Sequence, residues 1–192
     1  MSLEKEIDII LNECITQLKQ NGCILYPTET VWGIGCDATN ENAIEKIYQI
    51  KERTSEKSLI ILVSSISMLK KYVPELSQNS ITILETFPKP LTVIYPQVKG
   101  LAKNVHHADG SVAIRIIKNK FCEQLITAFE KPIVSTSANL SGQPTPLSFH
   151  SISQDILNRV DYIVNLPSFT GSGIPSTIAK FDDTNKLIIV RP

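Results

Sequence analysis

Apolar residues at Leu3, Ile7, Ile10, Leu11, Cys14, Ile15 and Leu18 recur every three or four positions. That stripe predicts an amphipathic helix over residues 3–19, which Asn21-Gly22 then ends. A short apolar run at 23–26, stopped by Pro27, reads as a buried strand. Asn40 is a good N-cap for a second helix over 41–51, with Ala43, Ile44, Ile47 and Ile50 on one face. Further along, the pattern predicts a strand at 59–63, short helices at 67–72 and 76–87, and strands at 91–95 and 112–116. A helix at 122–130 and a strand at 132–136 follow. Next come a helix at 153–159, a strand at 162–165, and a closing hairpin of 177–181 with 187–190, turned at Asp182-Asp183-Thr184-Asn185. Strands and helices mix without strict alternation. The expected class is therefore α+β, a mixed sheet with helices against it, as a single domain over 1–192.

Composition leaves this picture intact. The chain has 192 residues, of which 42% are hydrophobic and 20% charged, enough to bury a core without disulfides or structural metal. Its amino terminus is charged, and its longest apolar stretch is too short to span a membrane. The four cysteines (14, 23, 36, 122) form no CxxC pair and fit no zinc spacing, so four reduced, buried thiols in a cytoplasmic protein are expected. Formal net charge is zero, which argues against a general nucleic-acid binder. The charge is uneven, however. Residues 1–44 carry two basic and seven acidic groups (net −5), 45–120 twelve and six (net +6), and 121–192 five and six (net −1). The basic middle third suits a local anion site.

Three polar segments interrupt the apolar pattern, each beside a predicted element. In the segment 26–33, Thr28 and Thr30 share a face if the chain is extended, where they suit a small polar ligand; an ST-turn that satisfies its own backbone is the alternative. Lys51 and Arg53 stand at i and i+2 at a helix end, either converging on one anion or complementing the helix dipole. The run Ser135-Thr136-Ser137-Ala138-Asn139-Leu140-Ser141-Gly142 offers hydroxyl, amide and backbone donors after a strand, as an anion nest or a plain polar turn. No Walker or dinucleotide glycine motif is present. His106 and His107 are adjacent, which on a strand makes them a poor metal pair.

Taken in order, these segments resemble the YrdC family, the L-threonylcarbamoyl-AMP synthases, from about Gly22 to Pro192. Residues 26–38 are similar to the family's YPT-[DE]-T-x-[YW]-G pattern, and 47–53 to its I-x-x-x-K-x-R. Residues 87–92 resemble [WF]-P-G-P-[LF]-T, 132–142 the stretch around S-x-N, and Pro175-Ser176-Thr177-Ile178 and Val190-Arg191-Pro192 its last two landmarks. The chain departs from the pattern at Ser58, Lys89 and Ile116-Ile117, and it resembles the short, single-domain form.

The resemblance implies a YrdC/RibB-like twisted mixed sheet, flanked by helices, with a large concave cavity. It implies that L-threonine, bicarbonate and ATP, with Mg²⁺ held mainly by phosphates, give threonylcarbamoyl-AMP and pyrophosphate. The product then feeds N6-threonylcarbamoyladenosine modification of tRNA by a separate transferase complex. The implied catalytic residues are Lys51 and Arg53. These two, with Ser135, Ser137, Asn139, Ser141 and Arg191, would hold ATP. Thr28, Thr30, Arg115 and Ser176 would hold threonine, Arg115 pairing its carboxylate. A non-catalytic protein of the same fold that binds double-stranded RNA, tRNA or the ribosome is the alternative. A YciO-like paralogue is disfavoured, since those lack the K-x-R and S-x-N pairs present here.

Overall fold

The amphipathic stripes become helices whose apolar faces lie on the sheet. The computed structural model describes residues 3–52, 59–166 and 171–192. Helix α1 (Leu3–Lys19) buries Ile10, Cys14 and Leu18. Helix α2 (Glu41–Ile50) buries Ala43, Ile44, Ile47, Tyr48 and Ile50, and the Asn40 side chain caps it by accepting from Ala43 N at 3.0 Å. Helices α3 (Ile66–Tyr72) and α4 (Gln78–Thr86) are capped by Ser65 and Ser77 in the same way. Helix α5 (Lys120–Phe129) is capped by Asn119 and packs against α1. These caps satisfy amide groups that the helices themselves leave unpaired.

The strands are β1 (Ile24–Pro27), β2 (Trp32–Gly35), β3 (Ile60–Val63), β4 (Leu91–Tyr95), β5 (Val112–Ile116), β6 (Ile133–Ser137), β7 (Tyr162–Ile163), β8 (Thr177–Phe181) and β9 (Leu187–Arg191). They form one sheet in the order β7-β1-β2-β6-β3-β5-β4-β8-β9. The pairs β1/β7, β3/β5 and β4/β8 are parallel and the others antiparallel, so the sheet is mixed as expected. Its central strands are nearly all apolar, as strands covered on both faces must be. All four cysteines are free and buried. Burial pushes the Cys14 thiol up to about 12 and raises Cys36 and Cys122 as well, which keeps them as unreactive thiols.

Strand β2 departs from the sequence reading, in which 32–33 end the polar segment 26–33 and 34–35 belong to no element. Two glycines in four residues mask it, because glycine weakens strand propensity. At Gly35 the reason is close approach. A Cβ on Gly35 would sit 2.5 Å from the Val134 carbonyl oxygen and 2.7 Å from the Tyr26 ring. Both neighbours are fixed in strands, so Gly35→Ala is expected to cost about 3 kcal/mol by overpacking, measurable as a lowered urea midpoint with an unchanged slope. The helix expected over 153–159 shortens to α6 (Gln154–Leu157), and the strand expected over 162–165 to the two residues of β7.

Candidate active site

The middle of the sheet carries a charge. On β5, Arg115 lies between Leu62 of β3 and Thr92 of β4, and only 4% of it is exposed. A guanidinium cannot lose its charge, so its burial requires a partner. Glu29, in the turn between β1 and β2, supplies it: Glu29 Oε1 stands 3.4 Å from Arg115 Nε. The contact is an ion pair without a hydrogen bond. Arg115 Nε and both Glu29 carboxylate oxygens are buried without a hydrogen-bond partner among the described residues.

Around Arg115 the chain builds a cavity of about 250 Å³. The β1–β2 turn contributes Thr28 and Thr30, whose hydroxyls lie 2.9 Å apart. Thr28 Oγ1 also donates to Val31 O at 2.8 Å and accepts from the Thr30 and Val31 amides. The ST-turn and the cavity wall are thus the same structure. Strand β6 adds Ser135 and Ser137. The approach to β8 adds Ser176, whose hydroxyl shares a 2.7 Å hydrogen bond with Thr92. Arg191, at the end of β9, also lines the space and donates to the Ser176 carbonyl at 2.9 Å.

Seven of the expected site residues therefore converge: Thr28, Thr30, Arg115, Ser135, Ser137, Ser176 and Arg191. Lys51, Asn139 and Ser141 stand just off this wall. Lys51 is buried at the C-cap of α2, and its ammonium donates to the carbonyls of Ser137 and, at 2.6 Å, Asn139. The Ser141 amide returns a 2.9 Å hydrogen bond to the Lys51 carbonyl. Asn139 Nδ2 donates to the Leu140 and Gln143 carbonyls, while its Oδ1 is buried without a hydrogen-bond partner among the described residues. The S-x-N loop is therefore wrapped around the lysine. Arg53 lies outside the described residues.

Thr136 and Pro175, which stand inside the singled-out segments without a site role, also line the wall, and so does Thr145, which no segment included. Thr145 sits in a polar loop that nothing local distinguishes. Glu29 was legible, standing inside the Tyr26–Gly33 motif, but only the fold shows that it meets Arg115.

The cavity is smaller than the large one expected and lies below the usual range for drug-sized ligands, about 300–1,000 Å³. A second, more apolar space of about 720 Å³, bordered by Trp32, Phe149 and Leu166, contains none of the expected site residues. Among the described residues no three His, Cys, Asp or Glu side chains gather where they could hold a metal ion, and no helix is long and apolar enough to cross a membrane.

The family model Sua5_yciO_yrdC, described as telomere recombination, matches residues 16–192. A threonylcarbamoyl-AMP synthase of Psychromonas ingrahamii is 41% identical over 75% of this chain and 77% of its own length. One of Pseudoalteromonas translucida is 37% identical over 85% and 89%. Among solved structures, P. abyssi Sua5 complexed with L-threonine superposes with a TM-score of 0.84 at 27% identity, covering 95% of this chain and 53% of that one. The chain thus spans about half the length of that protein. The order of motifs, the mixed sheet and these likenesses agree: the chain belongs to the Sua5/YciO/YrdC family.

Proposed function

We propose that this protein is an L-threonylcarbamoyladenylate synthase, acting in the cytoplasm as a single domain over residues 1–192. The observation that carries the reading is Arg115, a buried cation in a small, hydroxyl-lined cavity, in a chain whose relatives bear that name. A cavity of this size suits an amino acid rather than a whole nucleotide. Arg115 takes the threonine carboxylate, and Thr28, Thr30 and Ser176 take its polar groups. The nucleotide extends over the 137–141 loop toward Lys51 and Arg191, and the family resemblance adds Arg53 as a phosphate ligand.

The reaction needs this distribution of charge. The threonine ammonium and bicarbonate condense to a carbamate with loss of water and a proton. A carbamate oxygen then attacks the α-phosphorus of ATP; the new O–P bond forms as the bond to pyrophosphate breaks. Nucleophile and electrophile are both anions, so positioning and fixed positive charge do most of the work. Arg115 holds the carboxylate away from the line of attack. Lys51 holds the loop whose hydroxyls and amides, with Ser135, Ser137, Asn139 and Ser141, face the phosphates. Mg²⁺ suits this wall only as a passenger on the triphosphate, since the nearby carboxylate, Glu29, is engaged by Arg115. Bound there, it neutralises phosphate charge. The product passes to a tRNA threonylcarbamoyl transferase complex. Double-stranded RNA or tRNA contact is the weaker reading for a chain of zero net charge.

Incubation of the protein with ATP, bicarbonate and Mg²⁺ is expected to release pyrophosphate only when L-threonine is added. Release that ignores threonine would remove the proposal.

A further inference from the structure

The carboxylate that faces Arg115 has no role in the scheme above. Glu29 occupies the turn between Thr28 and Thr30, so the backbone that sends two hydroxyls into the cavity also sends a carboxylate to the arginine. The placement is unusual in three respects. Both Glu29 oxygens are buried and make no hydrogen bond among the described residues. Glu29 itself does not line the cavity, whereas the Arg115 it faces does. Its ion-pair partner among the described residues is the one guanidinium in the middle of the sheet.

A buried carboxylate without hydrogen bonds is costly to keep and offers no packing that an amide would not. What it does provide is a charge. With Glu29 ionised, the pair beneath the cavity is neutral overall but polarised. Without it, the cavity floor would be a bare cation that attracts any small anion.

Resting on the threonine reading of this cavity, we propose that Glu29 is the specificity residue that makes the site select a zwitterionic α-amino acid over a simple carboxylate. Arg115 attracts the ligand carboxylate; Glu29 repels that carboxylate but attracts the ammonium attached beside it. For an acid lacking the ammonium, the repulsion stands uncompensated. Repulsion of the carboxylate is common to both ligands and cancels in their affinity ratio. The change in that ratio when Glu29 is neutralised therefore reports the attraction between Glu29 and the ammonium.

The test is calorimetric titration with L-threonine and with 3-hydroxybutyrate, which is threonine without its ammonium. The wild-type protein is expected to prefer threonine by about tenfold or more, a modest charge–charge effect in a partly screened site. In Glu29→Gln that preference is expected to collapse about tenfold, chiefly through tighter 3-hydroxybutyrate binding, whereas Glu29→Asp retains it. A merely structural role would weaken both ligands together and leave the ratio unchanged; that result in a folded Glu29→Gln protein overturns the inference. Equal binding of the two ligands by the wild type overturns it without any variant. Failure of the wild type to bind threonine at all would instead remove the threonine reading of the cavity.

Discussion

Replacing Arg115 with methionine is expected to reduce threonine-dependent pyrophosphate release about 100-fold or more, since truncating one partner of a buried charge contact costs about 3 kcal/mol. The loss should appear mainly as a raised KM for threonine, with the KM for ATP little changed. The same substitution should also destabilise the fold. Glu29 would be left with both oxygens buried and no counter-charge, and removing one member of a buried pair costs about 3–5 kcal/mol. Glu29 keeps 16% exposure, so the lower end of that range applies. The double variant Arg115→Met/Glu29→Gln separates the two effects. Removing both charges should recover most of the stability in urea denaturation and none of the activity. An Arg115→Met protein with the wild-type KM for threonine would move the carboxylate site elsewhere.

Much of this architecture was legible because apolar periodicity and caps agree locally. The stripe from Leu3 to Leu18, the Asn40 cap and the apolar runs at 59–63 and 112–116 each fixed an element to within a residue or two. Strand β2 was not legible. Its glycines lower strand propensity, and the reason for Gly35, contact with Val134 and Tyr26, lies about 100 residues away in one case and across a turn in the other. The site shows the same division. Hydroxyl and cation segments could be picked out singly, yet for each one alone a plain structural reading was the more expected. Only their order along the chain favoured a shared ligand. That Thr28 forms an ST-turn and lines the cavity at once could not be settled by choosing between the two readings. The Glu29–Arg115 pair was invisible for another reason: one residue sits in a turn and the other on a strand 86 positions later, and only the register of β5 between β3 and β4 places the arginine beneath that turn.

Lys51 is the residue whose role the structure reshapes most. From sequence it was a cation at a helix end, aimed at phosphate. In the fold its ammonium donates to the Ser137 and Asn139 carbonyls, while its own carbonyl accepts from the Ser141 amide. The lysine thus fixes the backbone from which Ser137 reaches the cavity, and its charge stays beside that loop. Lys51→Met removes two charge-assisted hydrogen bonds, each worth about 1.5–3 kcal/mol. Pyrophosphate release is expected to fall about 100-fold in kcat, while the KM for threonine changes little because Thr28, Thr30 and Arg115 are carried by other elements. The far-ultraviolet circular dichroism should remain that of the wild type, since α2 is capped at Asn40 and packed along its whole apolar face. Hydrogen exchange should rise at the amides of 139–143. Lys51→Arg should not restore the rate, because a planar guanidinium presents its donors in a wider fork than a site where one ammonium meets two carbonyls. Loosened amides with an unchanged rate would make Lys51 a strut for the loop and nothing more. A lost rate with unchanged exchange would mean instead that its charge acts directly on the phosphates.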